Sequence, residues 1–491
     1  MIVPPVPDPA EPETAGTAQP PPQCPAHAFH GDDGLVNLFS PDVVADPMPA
    51  YERLRARHGP VAPVLLADDL PAWLVLGHRE NLEVARTTTR FTRDSRIWNL
   101  YVEDRVPADS PLRPTTQWGP IMRFTDGDEH RRLRSAFNDS LGGLNRRGVR
   151  RHVMQIANRL IDGFCAEGKA DLIPRFAQHL PILVMARLLG MPDEAGPALV
   201  KATQDIVTGA KTAVESSEQI MRTLTQVVAG KRNAPGNDLT SWLLGHSAGL
   251  SDGEVVQNLR PTLIIANETT VSLIASTIRM MLTDPRFRAY LAGGHMTMAD
   301  AVEQILWDEP PFRLVPGRWA IADTQLGGQQ IKAGDLLLLG LAAGNRDPAI
   351  RPDLSASLFG NRSHLAFGGG SHECPGQELS RSIVETGLDT LFARLPDLGL
   401  GVPDDELHWD TAWMTRRLAS LPVTFAPRPP SAVVPPAEAG AGERGRIRET
   451  DDSVAGGKTG GVPYTAHRPA VEARSATWWT VLRRRLRRHR G

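Results

Sequence analysis

The sequence predicts a mainly α-helical fold with small β-sheets. Apolar residues recur at spacings of three and four over several long stretches, which is typical of amphipathic helices. Strand-like segments, in contrast, are short and are interrupted by glycine turns. With 491 residues, 41% of them hydrophobic, the chain is long enough to bury a large core.

The helical pattern occurs in five stretches. They are PMPAYERLRARHG, DEHRRLRSAFNDSL, GVRRHVMQIANRLIDGFCAEG, the run from Asp252 to about Leu282, and PGQELSRSIVETGLDTLFARL. Three segments have the alternation or apolar run of strands: PVAPVLL, AWLVLG and QLGGQQIKAGDLLLLG. Because glycines border or interrupt these segments, we expect them to form small hairpins with glycine turns.

The apolar spacing is sustained over residues 31–428, which we interpret as one domain without internal repeats. Residues 1–30 are rich in proline and are predicted to be a disordered tail, and residues 429–473 a disordered linker. Residues 474–491 are predicted to be a basic amphipathic tail, in which the tryptophans, valine and leucines can share one helical face and the arginines occupy the others. Such a tail can lie peripherally on an anionic membrane or bind an acidic partner, or it can be a solvated charge run.

Composition excludes several classes. The net charge of -2 gives no overall bias toward nucleic acid, so we expect no specific nucleic-acid binding. Only Cys24, Cys165 and Cys374 are present, which argues against a disulfide framework and for a reducing compartment. The N-terminus has neither the basic start nor the apolar core of a secretory signal, so we expect a cytoplasmic protein.

One cysteine lies in an unusual segment, SHLAFGGGSHECPG, at residues 363–376. Proline directly after Cys374 indicates the first turn of a helix, whose dipole favours a thiolate. The three glycines let the backbone approach a flat ligand closely. Three interpretations are open: an inert buried cysteine, a zinc site of His364, His372 and Cys374 that lacks a fourth ligand, or haem iron held by one thiolate.

The segment resembles the haem-binding signature of the cytochrome P450 family, Phe-Gly-x-Gly-x-(His/Arg)-x-Cys-x-Gly. The matched residues are Phe367, Gly368, Gly370, His372, Cys374 and Gly376. The resemblance covers nearly the whole predicted domain and is to soluble bacterial members. It implies the cytochrome P450 fold and a haem b whose iron takes Cys374 as its axial metal ligand, with Phe367 and Gly368 next to the cofactor.

Several basic residues are predicted to bind the haem propionates. His130 and Arg134 are four apart, so they lie on one helical face and can present two donors to an anion. This pair resembles the His-x-x-x-Arg helix of the family. By the same resemblance, Arg318 in GRWAIAD and His372 meet a propionate, and we expect His364 to join them.

The predicted long helix contains the sequence PTLIIANETTVSLIAS, in which Glu268 and Thr269 resemble the acid and alcohol pair of the family's distal side. Splitting dioxygen requires two protons in a dry pocket, and a hydroxyl beside a carboxylate can relay them. We expect Thr269 to hold the oxygen species and Glu268 to recharge the relay. Taken alone, a threonine pair on a helix is common.

The sequence departs from the family at two places. Ile265 and Ala266 occupy slots that usually hold a small residue and glycine, which predicts a crowded groove. The helix that normally carries Glu-x-x-Arg has Gln304, Ile305, Leu306 and Trp307 instead, and starting the motif at Glu303 places Leu306 at the arginine slot. We therefore expect both charges of that pair to be lost, with Arg362 the only candidate for the third partner, and Trp307 to fill the space.

The resemblance implies a haem-thiolate monooxygenase that inserts one atom of O2 into a small apolar organic substrate. Electrons would come from a ferredoxin and its reductase, with arginines such as Arg381 steering the donor. Residues of about 87–118 and 192–233 would roof the substrate pocket. The alternative is a haem-binding protein with little oxygenase activity, a regulatory or interaction partner, suggested by the altered helix and the basic tail.

Overall fold

The computed structural model describes residues 35–207, 210–285, 287, 296–356, 358 and 360–431. The tail predicted at residues 1–30 lies outside the described residues, as do the basic tail predicted at 474–491 and all but the first three residues of the predicted linker. Within the described ranges, no helix combines the length and the apolar character needed to cross a membrane.

Helices dominate the described part of the chain, and the predicted class of mainly α-helix with small sheets is confirmed. The α-helices, in chain order, are α1 Pro41–Ala45, α2 Met48–His58, α3 His78–Arg86, α4 Asn99–Val102, α5 Arg113–Thr116, α6 Gly127–Gly142, α7 Arg146–Asp162, α8 Leu180–Leu188, α9 Gly196–Val207, α10 Ala213–Asn233, α11 Leu239–Gly245, α12 Asp252–Thr283, α13 Met298–Asp308, α14 Leu341–Asn345 and α15 Gln377–Arg394. All five predicted helical stretches are helices, namely α2, α6, α7, α12 and α15.

The strands are short. They are β1 Val61–Leu65, β2 Pro71–Val75, β3 Phe91–Thr92, β4 Lys169–Asp171, β5 Val315–Ala320, β6 Thr324–Leu326, β7 Gln329–Ile331, β8 Leu336–Leu339, β9 Gly399–Leu400, β10 Trp409–Thr411, β11 Arg416–Leu418 and β12 Pro422–Thr424. The largest sheet has the order β1-β2-β8-β5-β3, and smaller sheets join β4-β12-β9, β6-β7 and β10-β11.

The hairpin prediction holds for β1 with β2 and for β6 with β7, both antiparallel pairs. It is wrong for the leucine run, because β8 pairs in parallel with β2 and antiparallel with β5 rather than with β7. Every residue of β8 is buried. A strand that is apolar on both faces needs cover on both, and the alternate leucines of β8 pack into two different core clusters, Leu336 and Leu338 in one and Leu337 and Leu339 in the other.

The long helix α12 begins at a capping box, in which Ser251 accepts from the backbone of Glu254 and the Glu254 side chain accepts from Ser251. The helix continues through Pro261 to Thr283, and most of its second half is buried in the largest core cluster. Helix α15 packs against α7, α12 and α13. The loop that carries Cys374 is thereby held between α15 and the body of the domain.

Candidate active site

A cavity of about 2050 Å³, part of it open to solvent, lies between α12 and the loop that carries Cys374. Its wall is mostly apolar. The apolar side chains that line it include Ile121, Met122, Phe137, Leu141, Met185, Leu188, Leu189, Leu239, Leu243, Leu259, Ile265, Leu273, Leu339 and Phe367. Cys374 and Gly368 also line it, and a group of basic side chains occupies one end.

Cys374 lies two residues before Gly376, the residue that caps the start of α15. Its backbone N–H donates to the carbonyl of Phe367 at 2.9 Å, which closes the loop onto itself. Burial raises the pKa of the Cys374 thiol, while the backbone N–H of Gly376 and the charge of Arg134 act to lower it. Pro375 precedes the first helical turn rather than lying within it, so the helix starts slightly later than its position predicts.

Two glycines shape this loop through their left-handed backbone. Gly370 has φ of +68°, and a Cβ there would lie 2.3 Å from the carbonyl oxygen of Ala85. Gly368 has φ of +74° but faces open space, with nothing within 4 Å of its added Cβ. The loop therefore passes close to α3 at Gly370 and leaves room beside the cavity at Gly368.

Of the predicted propionate residues, His372 and Arg318 line the basic end of the cavity, and His130 does not line it but lies beside His372. The imidazole rings of His130 and His372 are 4.0 Å apart, and the Nε2 atom of His372 is 3.0 Å from a carboxylate oxygen of Asp126. Arg318 is only 2% exposed, although it lines the cavity. Neither the Nε atom of Arg318 nor the Nε2 atom of His130 has a hydrogen-bond partner among the described residues.

Burial sets the protonation of this group. It lowers the pKa of Arg318 to about 10 and that of His372 to about 3. The pKa of His130 falls to about 4, because burial and then the charge of Arg134 disfavour the imidazolium ion. Both imidazoles are therefore neutral near pH 7, and the guanidinium groups carry the positive charge.

Three residues of this group, Arg93, Arg123 and Asp126, are missing from the sequence prediction. The buried side chain of Arg93 donates to the carbonyl of Gly317 at 2.7 Å and lines the cavity. The carboxylate of Asp126 accepts from Thr92, from the backbone of Arg93 and from His372. Their joint position depends on β3 reaching β5 across the chain, which local spacing does not reveal.

Arg134 lines the same cavity but turns toward the cysteine loop. Its guanidinium donates to the carbonyl of Glu373 and, at 2.9 Å, to the side chain of Asn138. His130 and Arg134 thus share one face of α6, as their spacing predicts, while their side chains meet different neighbours.

The structure separates the two predicted relay residues. Thr269 and Ile265 line the cavity, and the hydroxyl of Thr269 donates to the Ile265 carbonyl at 3.0 Å. Glu268 does not line it; its carboxylate lies 3.4 Å from the guanidinium of Arg417 on β11. Burial raises the pKa of Glu268, and the charge of Arg417 opposes that increase.

The helix carries no arginine at the motif slot, as expected, but the neighbouring acid Glu303 forms an ion pair that the sequence did not predict. Glu303 on α13 is 3% exposed and accepts from Arg381 at 2.5 Å. Arg362, the predicted third partner, lies 3.5 Å from the same carboxylate. The prediction looked for the arginine on the same helix, whereas Arg381 reaches Glu303 from α15. Trp307 fills its site as expected and donates to the Asn361 carbonyl at 2.9 Å.

Two further predictions are corrected by this cluster. His364 does not join the propionate group, because its ring is buried against Glu303 at 2.9 Å and its other nitrogen accepts from the backbone of Ala366. Arg381 is 4% exposed, so it cannot steer an electron donor at the surface. The zinc alternative also fails, since the described residues contain no group of three or more histidine, cysteine or acidic side chains able to hold a metal.

The predicted roof of the pocket is largely misplaced. Within residues 87–118 and the described part of 192–233, only Arg93 lines the cavity. The wall comes instead from residues 121–123, α8 and α11. The segment around α4 and α5 packs away from the cavity, because Trp98, Leu100 and Leu112 are buried in a separate core cluster.

Comparison with known proteins gives one consistent group of relatives. No protein-family model matches the chain. The vitamin D(3) 25-hydroxylase of Pseudonocardia autotrophica is 31% identical over 404 residues, which cover 80% of this chain and 97% of that protein. The cytochrome P450 monooxygenase PikC of Streptomyces venezuelae is 32% identical over 399 residues, covering 78% and 92%. The structure of CYP154C4 from Streptomyces sp. W2061 superposes with a TM-score of 0.71 and 27% identity, covering 80% of this chain and 98% of that one.

Proposed function

Because the chain belongs to the cytochrome P450 family and is a haem monooxygenase of that family, we propose that Cys374 is the axial ligand of its haem. The family's haem is held by a cysteine thiolate. Of the two cysteines within the described ranges, Cys165 is fully buried in the core, and Cys374 lines the cavity. The position of Cys374 opposite α12 is the observation that carries this proposal.

The basic end of the cavity fits the two propionates of a haem. The guanidinium groups of Arg93, Arg123 and Arg318 all line the cavity, and Asp126 is the acid that lies close to this group in the described structure. Arg134 also lines the cavity, so four arginines stand against the one nearby acid, and this positive charge suits two anionic propionates. The unpartnered nitrogens of Arg318 and His130 supply donors for them.

When bound, the haem supplies a thiolate-ligated iron that favours cleavage of the O–O bond. Inserting one oxygen atom into a C–H bond of the substrate consumes two electrons and two protons, and the second oxygen atom leaves as water. We assign the proton handling to the hydroxyl of Thr269, which faces the cavity while it donates to the Ile265 carbonyl. Glu268 then returns a proton to Thr269, and its carboxylate lies on the side of α12 that faces Arg417 of β11.

The substrate class follows from the wall of the cavity. Leucine, isoleucine, methionine and phenylalanine side chains from α6, α8, α11 and α12 enclose the space above the cysteine loop. Such a wall excludes water and binds through apolar area, so an apolar organic molecule fits best. The relatives named above include one that is named for vitamin D(3).

The proposal includes a ferredoxin and its reductase as the source of electrons, and the cytoplasm as the compartment. A family oxygenase needs redox partners, and the scarcity of cysteines suits a reducing compartment. The alternative of a haem-binding partner with little oxygenase activity was suggested by the altered helix, Ile265 and the basic tail. The altered helix still carries a buried acid with an arginine partner, since Glu303 accepts from Arg381.

Turnover in isotopically labelled dioxygen tests the proposed reaction. The purified holoprotein is mixed with ferredoxin, ferredoxin reductase and NADPH, together with apolar compounds that shift the haem spin state on binding. We expect product with one labelled oxygen atom for each two electrons consumed. Product whose new oxygen atom is unlabelled, and therefore comes from water, would contradict a monooxygenase function. Electron consumption without any product from every compound that shifts the spin state would contradict it as well.

A further inference from the structure

One arm of the cavity extends between four helices, α6, α8, α11 and α12. In this part of the fold α11 packs against α6 and α12, and α8 packs against α12. The wall of the arm is formed by six apolar side chains, which we call the arm residues: Phe137, Met185, Leu188, Leu189, Leu239 and Leu243. All of them also belong to the largest core cluster. Because close-packed cores contain few voids larger than a water molecule, a cavity that extends into this core is unusual.

The arm is narrow compared with the rest of the cavity. Each arm residue is between 2% and 8% exposed, so little of each side chain faces open space. The side chains around the remainder of the cavity are more open, since Ile121, Met122, Ile265 and Phe312 are only partly buried. The wide part therefore has room for an organic substrate, whereas the arm suits a molecule of very few atoms.

The polar groups beside the arm are too few and too well bonded to hold water there. Ser140 lines the cavity from α6, and its buried Oγ atom has no hydrogen-bond partner among the described residues. The side chain of Asn258 accepts from the backbone of Met122 at 2.8 Å and donates to the carbonyl of Glu254 at 2.9 Å. A bound water needs about two to four polar partners, and apolar cavities that lack them stay dry and bind xenon. The arm therefore favours a small apolar molecule over water.

We propose that the arm is a binding site for dioxygen, from which the gas moves to the space beside Thr269 while a substrate fills the wide part of the cavity. The proposal rests on the proposed monooxygenase function, which makes dioxygen a co-substrate. Dioxygen is small and apolar, so it suits both the width and the dryness of the arm. The arm residues and Thr269 line one cavity, so the gas has a route that the substrate does not occupy.

Xenon is the probe for this site, because it binds in dry apolar cavities. Crystals of the holoprotein are pressurised with xenon, with and without an apolar compound that shifts the haem spin state. We expect a xenon atom against Leu188, Leu239 and Leu243 in both cases. Leu188→Phe and Leu239→Phe fill the arm and should abolish xenon binding there. Leu244→Phe is the matched control and should keep the xenon, because Leu244 is 7% exposed, like Leu239, and lies on the same helix but does not line the cavity.

The rate of carbon-monoxide binding after flash photolysis measures the route itself. With the apolar compound bound, the rate should fall severalfold in Leu188→Phe and Leu239→Phe and stay unchanged in Leu244→Phe. The proposal is overturned if no xenon binds in the arm, if the apolar compound itself occupies the arm, or if both filled variants bind carbon monoxide as fast as the wild type.

Rising xenon pressure on the wild type decides the question if neither filled variant folds. Xenon that occupies the arm should slow carbon-monoxide binding severalfold, and an unchanged rate overturns the proposal. None of these measurements requires turnover. A failed experiment with labelled dioxygen would therefore reject the proposed function without altering the xenon result, which keeps the two failures distinct.

Discussion

The guanidinium of Arg417 lies 3.4 Å from the carboxylate of Glu268 and also donates to Asp410 at 2.8 Å. Arg417 is on β11 and Asp410 on β10, so a two-stranded hairpin near the end of the domain sets the electrostatic surroundings of an acid on α12. Asp410 is exposed to solvent, whereas Glu268 is largely enclosed. Arg417 therefore connects the solvent-exposed Asp410 to Glu268, the residue that precedes Thr269.

Replacing Arg417 with glutamine should shift the pH dependence of turnover. The charge of Arg417 lowers the pKa of Glu268, so its loss raises that pKa further. Because Glu268 must carry the proton that it gives to Thr269, a higher pKa moves the basic limb of the pH–rate profile to higher pH. Asp410→Asn should move the limb the other way, since Asp410 raises the pKa of Glu268. An unchanged limb in both variants would remove Glu268 from the relay.

Thr269→Ala should uncouple electron consumption from product formation. We expect product per electron to fall by roughly tenfold or more, with hydrogen peroxide accounting for the difference, because general acid catalysis contributes factors of that order. Thr270→Ala is the matched control: its hydroxyl donates to the Ala266 carbonyl and lies 3.3 Å from Ser380. Equal uncoupling by both variants would contradict the assignment of this role to Thr269 rather than Thr270.

Arg318→Leu should stabilise the haem-free protein against unfolding but weaken its binding of haem. In the haem-free chain Arg318 is a buried charge with an unpartnered Nε atom, so its removal should raise the free energy of unfolding by roughly 1–3 kcal/mol. The same change removes a charge-assisted hydrogen bond to a propionate and should weaken haem binding by at least about tenfold. Calorimetry and haem transfer to a globin measure the two effects. Weakened stability with unchanged haem binding would contradict the propionate role.

Two glycines of the cysteine loop should respond differently to alanine. Gly370→Ala places a Cβ 2.3 Å from the Ala85 carbonyl, so the loop must move away from α3 and haem incorporation should largely fail. Gly368→Ala meets no protein atom within 4 Å, so in the haem-free protein it costs only the left-handed backbone, about 1–2 kcal/mol. Haem content per protein and the thermal unfolding midpoint compare the two. Similar losses in both variants would show that the close approach to α3 is unimportant.

The sequence predicted the helices well because their signal is local. The capping box at Ser251 and the apolar spacing of α2, α6, α7, α12 and α15 depend only on residues within a few turns. The glycine and cysteine segment was equally visible, since its residues are consecutive.

Partners that come from distant parts of the chain escaped prediction. Glu303 and Arg381 are separated by 78 residues, so a motif confined to one helix cannot predict that they pair. Arg93 and Asp126 meet the Arg318 region only because β3 pairs with β5. The prediction of the cavity wall failed for a related reason. Periodicity shows that a helix has an apolar face, but it does not show which of several core clusters that face joins.

The carbon-monoxide difference spectrum of the reduced protein, recorded for the wild type and for Cys374→Ser, tests the central claim most directly. A thiolate ligand at position 374 predicts a strongly red-shifted Soret band in the wild type and its complete loss in the variant. Retention of that band after the substitution, or a histidine-type band in the wild type, would show that Cys374 is not the haem ligand.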